Sequence, residues 1–251
     1  MTVKSFLHRL IAAAGLRAFD VYLAATVRAG VRIYSGPHRS YGFTIRAGTS
    51  DRFVVDEVWR TKVYGPPPSG TVVDIGANIG AYTIFASQTA DRVIAVEPVP
   101  TNVAQLRSNL ARNSITNVEI EEAAVSAAGD EQTIWVNRNN AGACSAYGAT
   151  GTPIVSRALR FDDLLRAHGI TVVDVVKIDI EGMEYGLLTD PDCTLLTCAK
   201  RIVVEFHSGW GFGGTPAEGV AALRGAGYTV TAKQPWRAWL AGTGVWHADR
   251  T

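Results

Sequence analysis

The spacing of apolar residues divides the chain into a short first part and a longer second part. Apolar residues at near-helical spacing predict an amphipathic helix over residues 1–30. Short apolar runs separated by turns predict strands over residues 31–56, and residues 54–64 are predicted as a helix. Residues 65–70 contain three prolines between two glycines, so we expect an irregular or polyproline stretch at the entry to the main domain.

From residue 71 onward, predicted strands alternate with predicted helices. The expected strands are residues 71–75, 92–96, 117–121, 172–180 and 201–206, and the expected helices are residues 81–88, 101–112, 161–168 and 216–225. Residues 129–160 are interpreted as a hairpin and loop insertion, and residues 228–232 and 236–240 as a terminal hairpin. Strands that alternate with helices predict an α/β fold with a parallel sheet wound by right-handed crossovers. We therefore expect an N-terminal helical cap with short strands at 1–65 and one main domain at 66–251.

Composition excludes several classes of protein. The 251 residues carry 24 basic and 23 acidic side chains, and this balance argues against nucleic acid as a partner. Three cysteines without C-x-x-C spacing are too few for a disulfide framework, which favours reduced thiols and a cytoplasmic location. No apolar run approaches the ~20 residues of a membrane span. The N-terminal helices are expected to cap the domain or to pack on a second copy in a homodimer, with peripheral membrane contact as a lesser alternative.

The sequence VDIGANIG, residues 73–80, places a glycine turn between a strand and a helix. Such a turn brings backbone N–H groups and the positive end of a helix close to a ligand. A dinucleotide fingerprint would have glycine at positions 76, 78 and 81, but Asn78 and Ala81 occupy two of these positions. The turn therefore disfavours a dinucleotide.

Two carboxylates indicate a different ligand. Asp74 ends the first strand of the main domain, and Glu97 ends the second, so both are expected at the carboxyl edge of the sheet. A carboxylate after the second strand can accept hydrogen bonds from both hydroxyls of a ribose. A carboxylate beside the glycine turn suits a positively charged ligand without phosphates. S-adenosylmethionine has this combination of a ribose diol, an ammonium group and a sulfonium cation.

Three motifs together resemble the FkbM family of S-adenosylmethionine-dependent methyltransferases. They are VVDIGANIG at 72–80, VEP at 96–98 and VKIDIEG at 176–182, and the resemblance covers roughly residues 50–206. It implies a Rossmann-like sheet of seven strands with the last one antiparallel. It also implies O-methylation of a small molecule, typically a sugar, polyketide or glycolipid hydroxyl.

The resemblance, together with the positions of Asp74 and of Tyr64 just before the proline run, gives roles for individual residues. The expected cofactor-binding residues are Tyr64, Asp74, Gly76, Asn78, Gly80, Glu97, Pro98, Asn102, Glu122 and Ala124. The glycine turn would line the methionine end, Glu97 would hold the ribose, and Glu122 and Ala124 would lie against the adenine edge. Tyr64 is expected to close over the cofactor.

Candidate catalytic groups stand at the ends of two later strands. His207 is expected to be largely neutral at pH 7 and is the leading general base, since general-base assistance contributes roughly 10²–10⁴-fold. Asp179 is expected to orient the acceptor or His207, and Glu205 lies at the same edge. A metal alternative uses Asp179, Glu205 and His207 to hold a cation such as Mg²⁺.

Two smaller expectations and the alternative functions remain. Lys177 is expected to pair with a carboxylate at the sheet edge, and Glu181 to have a structural role at the start of a helix. The alternative functions are an NAD-dependent oxidoreductase on a similar sheet, a non-catalytic interaction module, and methylation of a protein.

Overall fold

A computed structural model describes residues 28–136, 151–207, 213–233 and 243–250. The N-terminal part begins with β1 (Gly30–Ser35) and β2 (Ser40–Ile45), which pair as an antiparallel hairpin. It continues with α1 (Asp51–Asp56) and a single π-helical stretch, Glu57–Thr61. The helix expected over residues 54–64 is therefore present, but it starts earlier and ends at Thr61. Most of the amphipathic helix expected over residues 1–30 lies outside the described residues.

The main domain alternates strands and helices as the apolar pattern predicts. Its first half contains β3 (Gly70–Ile75), α2 (Ala81–Ala86), β4 (Ala90–Val96), α3 (Pro100–Arg112), β5 (Val118–Glu121), β6 (Ala124–Val125), β7 (Asp130–Val136) and β8 (Thr152–Leu159). Its second half contains α4 (Phe161–Ala167), β9 (Val173–Ile178), α5 (Glu184–Thr189), α6 (Leu195–Cys198), β10 (Ala199–His207), α7 (Pro216–Gly225), β11 (Tyr228–Lys233) and β12 (Thr243–Arg250).

Seven strands form the central sheet, in the order β11-β12-β10-β9-β3-β4-β5. Strand β12 is antiparallel to both of its neighbours, and the pairs from β10 to β5 are parallel. The expected seven-stranded, mostly parallel sheet with an antiparallel last strand is confirmed. The last described strand is Thr243–Arg250. Residues 236–240, predicted as part of the terminal hairpin, lie outside the described residues.

The strand order places a topological switch point beside β3. After β3 the chain adds β4 and β5 on one side, and it later returns to add β9 on the other side. In open α/β sheets the ligand crevice forms at such a point, outside the carboxyl ends of the strands. The fold therefore places the ends of β3, β4 and β9 around one candidate site.

Both faces of the sheet are buried, as expected for parallel strands that are covered by helices on each side. Val73 and Ile75 of β3 pack into one apolar cluster, while Val72 packs into the other. The cluster that contains Val72 also contains the side chain of Trp59, whose Nε1 donates a hydrogen bond to the carbonyl oxygen of Ala81 at 3.1 Å. The N-terminal hairpin and the main sheet thus share one apolar core.

The insertion predicted over residues 129–160 is a small sheet of its own. Strands β7 and β8 pair in antiparallel fashion, and β6 pairs in parallel with β8. Residues 137–150 lie outside the described residues. In the part of the chain that the structure describes, no helix is both long and apolar enough to cross a membrane.

Candidate functional site

A cleft lies at the switch point, at the carboxyl ends of β3, β4 and β9. Among the residues predicted for the site, it is lined by Gly76, Asn78, Glu97, Pro98, Asn102, Ala124 and Asp179. Glu181 and Met183 complete the wall on the β9 side. The structure therefore gathers most of the predicted cofactor-binding residues around one space.

Backbone geometry explains the glycine turn at the base of this cleft. Gly76 has a φ of +82°, and a Cβ at this position would lie 1.9 Å from the carbonyl oxygen of Asp179. Only glycine tolerates both this conformation and this close approach. Asn78 also has a positive φ, of 51°, and asparagine is one of the few other residues that adopt it readily. The side-chain Oδ1 of Asn78 is buried and has no hydrogen-bond partner among the described residues.

Glu97 is held at the tip of β4 by three donors. The backbone N–H of Asn78 donates to its Oε2 at 2.8 Å, and the backbone N–H of Val99 donates to its Oε1 at 3.0 Å. Asn102 Nδ2 donates to the same Oε1 at 3.2 Å. Burial raises the pKa of Glu97, while these three donors act in the opposite direction. Each oxygen of a carboxylate has two acceptor sites, so Oε1 is filled by its two donors and Oε2 keeps one site, which can accept from one hydroxyl of a diol in the cleft.

Asp74 does not join the cleft wall. Its carboxylate is completely buried; it accepts a hydrogen bond from Thr83 Oγ1 at 2.6 Å and lies 3.2 Å from Lys177 Nζ. Lys177 also donates to the carbonyl oxygen of Gly76 at 2.7 Å. Burial lowers the pKa of Lys177, but the charges of Asp74 and Asp179 outweigh it and raise that pKa overall. The pairing expected for Lys177 is present, and its partner is the carboxylate that was expected to face the ligand.

Three further predicted residues lie away from the cleft. Gly80 begins α2 and packs against Leu106, whose Cδ1 lies 2.4 Å from the position of an added Cβ. Glu122 is about half exposed and pairs with Arg107. Tyr64 is buried, and its hydroxyl donates to Glu205 Oε2 at 2.7 Å and lies 3.4 Å from Asp179 Oδ2.

His207 occupies the centre of a carboxylate cluster beside the cleft. Its Nδ1 lies 2.8 Å from Oε1 of the fully buried Glu184. Its Nε2 lies 3.6 Å from Glu181 Oε2 and 3.8 Å from Asp179 Oδ1. Glu184 also accepts hydrogen bonds from the backbone N–H groups of Ile180 and Gly182, so one carboxylate fixes both the imidazole and the loop after β9.

The expectation of a neutral His207 is corrected by these contacts. Burial lowers the pKa of His207, but the charges of Glu181 and Glu184 and the hydrogen bond with Glu184 outweigh it and hold that pKa well above the ordinary 6.5. Burial raises the pKa of Glu181 to about 8. Burial and the charge of Asp179 raise the pKa of Glu205 to about 7. The surroundings of His207 therefore favour its charged form, in contrast to the expected neutral imidazole.

The candidate metal-binding group differs from the expected one by one residue. The ligand atoms of Asp179, Glu181 and His207 all lie within 4.8 Å of one another. Glu205 instead faces Tyr64.

The sequence analysis did not single out Glu184, and it gave Glu181 only a structural role at the start of a helix. Glu181 has a φ of +53°, a conformation that is uncommon for residues other than glycine and is often found at functional sites. Glu184 precedes Leu187 and Leu188 at helical spacing, and all three are buried. A glutamate among the apolar positions of a helix was therefore a sequence signal for a buried carboxylate.

The sheet order, the glycine turn and the carboxylate at the tip of β4 define a Rossmann-like methyltransferase of the S-adenosylmethionine-dependent class. The model of the FkbM methyltransferase domain matches residues 74–230, well over half of the chain. The protein belongs to the FkbM methyltransferase family.

Two curated relatives resemble the chain over most of its length. The 31-O-demethyl-FK506 methyltransferase FkbM of Streptomyces tacrolimicus is 28% identical over 200 residues, covering 66% of this chain and 75% of the relative. The methyltransferase sdnD of Sordaria araneosa is 22% identical over 217 residues, covering 72% of this chain and 83% of the relative. A solved FkbM methyltransferase from Methylobacillus flagellatus has 17% identity and a TM-score of 0.49, and covers 78% of this chain and 47% of that one.

Proposed function

We propose that this protein is an O-methyltransferase that uses S-adenosylmethionine to methylate a hydroxyl of a small molecule such as a sugar, polyketide or glycolipid. One observation carries the proposal. The Glu97 carboxylate and the Asp179–Glu181 pair line the same cleft, so a ribose-binding group and a proton-accepting group face one space. The Streptomyces relative is named for an O-methyl position of FK506, which supports oxygen as the atom that receives the methyl group.

The residues of the cleft fit the cofactor. Glu97 would hold the ribose diol, and Ala124 and Pro98 would line the adenine side. The unpartnered, buried Oδ1 of Asn78 would accept a hydrogen bond from the cofactor's ammonium group. Gly76 leaves the bottom of the cleft open. When bound, S-adenosylmethionine supplies an electrophilic methyl group on a sulfonium, so the protein has to orient the acceptor, exclude water and remove one proton.

Glu181 is the group we assign to take the hydroxyl proton. It lines the cleft, and its pKa of about 8 lies close to the working range of a general base near neutral pH. Asp179 lines the same wall and would accept a hydrogen bond from the acceptor hydroxyl, so it would orient that hydroxyl. The oxygen of the acceptor then bonds to the methyl carbon as the carbon–sulfur bond breaks, and the proton remains on the Glu181 carboxylate.

His207 acts in this proposal as a fixed cation. Held by Glu184, it presents Nε2 to Glu181 and Asp179 and offsets the repulsion between these two carboxylates. Tyr64 and Glu205 form the next layer, where the tyrosine hydroxyl restrains Glu205 at 2.7 Å.

A metal-assisted reaction is the second candidate. The spacing of Asp179, Glu181 and His207 favours it, because two carboxylates and an imidazole can ligate a divalent cation such as Mg²⁺. Cation binding would displace the proton of His207 and would lower the pKa of the acceptor hydroxyl. Activity that disappears with a chelator and returns with Mg²⁺ would support this route over the general-base route.

The remaining expectations stay proposals. The free thiols of Cys193 and Cys198 support a cytoplasmic location, and the balanced charge supports a small-molecule partner rather than nucleic acid.

The test has two stages. First, calorimetric titration compares S-adenosylmethionine, S-adenosylhomocysteine and NAD, with Glu97→Ala as the control variant. We expect the first two to bind, NAD not to bind, and Glu97→Ala to weaken binding strongly. Second, protein with methyl-labelled cofactor is incubated with extracts of its own source, and the labelled product is identified by mass spectrometry. Binding of NAD alone, or a label on nitrogen or carbon, would overturn the proposal.

A further inference from the structure

A continuous chain of hydrogen bonds joins the N-terminal hairpin to the carboxylate at the tip of β4. Asp51 holds Arg46, Arg46 donates to Asn102, and Asn102 donates to Glu97. We infer that Arg46 is a positioning residue for the cofactor's ribose, and that it acts by fixing the amide of Asn102. The inference rests on the proposed function, because it assumes that Glu97 binds a ribose.

The guanidinium of Arg46 is itself fixed. Its Nε and Nη2 donate to the two oxygens of Asp51 at 2.9 and 2.7 Å, which is the bidentate arrangement that arginine favours. The backbone N–H of Arg46 donates to the same carboxylate at 2.8 Å. Asp51 has only 1% of its surface exposed, so this pair is a rigid anchor and not a mobile surface contact.

Arg46 determines which way the amide of Asn102 faces. Nη2 of Arg46 lies 3.0 Å from Asn102 Oδ1, and a guanidinium can only donate hydrogen bonds. The oxygen of the amide must therefore face Arg46, which leaves Nδ2 facing Glu97 Oε1 at 3.2 Å. With the amide reversed, an oxygen would face the carboxylate and the two acceptors would repel each other. Arg46 thus keeps a donor on Glu97, although it does not touch Glu97 itself.

Arg46 lies outside the part of the chain that matches the family model, and it acts on a residue inside that part. Arg46 and Asp51 precede residues 74–230, the part that matches the methyltransferase domain of the family. Asn102 lies within that part, is 2% exposed and lines the cleft. The segment between β2 and α1 therefore supplies an outer layer of the cofactor site, in addition to packing against the sheet.

The test compares two ligands on the same variants. Calorimetry measures the Kd of S-adenosylhomocysteine and of its analogue without the two ribose hydroxyls, for the wild type and for Arg46→Lys. Lysine keeps the positive charge beside Asp51. It replaces the guanidinium with a single amine nitrogen, so the separate hydrogen bond to Asn102 is lost. We expect binding of S-adenosylhomocysteine to weaken about tenfold, the scale of one hydrogen bond to a charged group. We expect the analogue to bind both proteins equally.

A matched control and a double-mutant cycle separate an effect of Arg46 through Asn102 from a general effect on structure. Arg52→Lys changes an arginine of the same segment that pairs with Asp56 at 3.5 Å, and we expect no change in either Kd. Asn102→Ala and the double variant Arg46→Lys/Asn102→Ala complete a double-mutant cycle. Once Asn102 is replaced, we expect Arg46→Lys to have no further effect on the Kd of S-adenosylhomocysteine. Melting temperatures verify that each variant is folded.

The outcomes separate this inference from the proposed function. If the wild type does not bind S-adenosylhomocysteine, both are overturned. If the wild type binds it and Arg46→Lys binds it equally well, only the role of Arg46 is overturned. An equal loss of affinity for the two ligands, or additive losses in the cycle, would show a general structural role and would also reject positioning of the ribose site.

Discussion

Lys177 Nζ lies 2.7 Å from the carbonyl oxygen of Gly76 and 3.2 Å from Asp74 Oδ1, so one buried cation links β9 to the glycine turn. The same nitrogen is 3.6 Å from Asp179 Oδ2. Lys177 therefore contacts the turn at the bottom of the cleft and the carboxylate on its opposite wall. It sets the distance between the two sides of the site.

Replacing Lys177 with methionine tests this link. The change leaves the buried carboxylate of Asp74 without its cation, and breaking a buried ion pair from one side costs about 3–5 kcal/mol. We expect the free energy of unfolding in urea to fall by that amount, and Asp74→Asn in the same chain to restore part of it. The control is Lys200→Met, since Lys200 is 65% exposed and its pairing with Asp174 is worth at most about 1 kcal/mol. Equal stability of Lys177→Met and the wild type would contradict the link.

Gly76→Ala tests the close approach at the glycine turn. The new Cβ would lie 1.9 Å from the carbonyl oxygen of Asp179, at a φ of +82° that alanine rarely adopts. We expect binding of S-adenosylhomocysteine to fall below detection, because the turn must move into the cleft or away from β9. Gly186→Ala is the matched control: this glycine lies in α5 with open space around it, so we expect stability to rise by roughly 0.5–1 kcal/mol with normal binding. Normal binding by Gly76→Ala would disprove the steric argument.

The part of the site that follows local rules could be predicted from the sequence. The alternation of apolar runs and helical segments sets the sheet, and the glycine turn and Glu97 follow their strands directly along the chain. Each of these features depends on residues that are close in sequence. The cleft at their ends then follows from the handedness of the crossovers.

The parts that depend on register and on distant neighbours could not be predicted in the same way. Asp74 faces Lys177 because these two residues are directly paired between β3 and β9, about one hundred positions apart in the chain. The charge of His207 depends on Glu181 and Glu184, which reach it from the loop after β9 and from α5. Residue type alone indicates a neutral histidine near pH 7, and only the surrounding carboxylates reverse that expectation.

Trp59 tests whether the N-terminal hairpin and the sheet share one cooperative core. Its ring packs within 5.1–5.5 Å of the ring centres of Tyr41, Phe43 and Phe85, and it is 6% exposed. We expect Trp59→Ala to lower the free energy of unfolding by about 3–5 kcal/mol in a single transition. Phe53→Ala, at a nearby side chain that is 37% exposed, should change it far less. A separate early transition for the hairpin in either variant would contradict a shared core.

The pH dependence of the reaction tests Glu181 as the proton acceptor. Because the pKa of Glu181 is raised from 4.5 to about 8, the reactive carboxylate increases as the pH rises from 7 to 9, and we expect kcat/KM, which reports the free enzyme, to rise with it. Glu181→Gln should lower kcat by roughly 10²–10⁴-fold and remove this rise. The raised pKa also means that folding favours the protonated form, so the stability that this group contributes is lost as the pH rises through 8. Glu181→Gln should therefore melt higher than the wild type at pH 9, with Glu122→Gln as the exposed control. A pH profile for kcat/KM that is unchanged in Glu181→Gln would exclude Glu181 as the base.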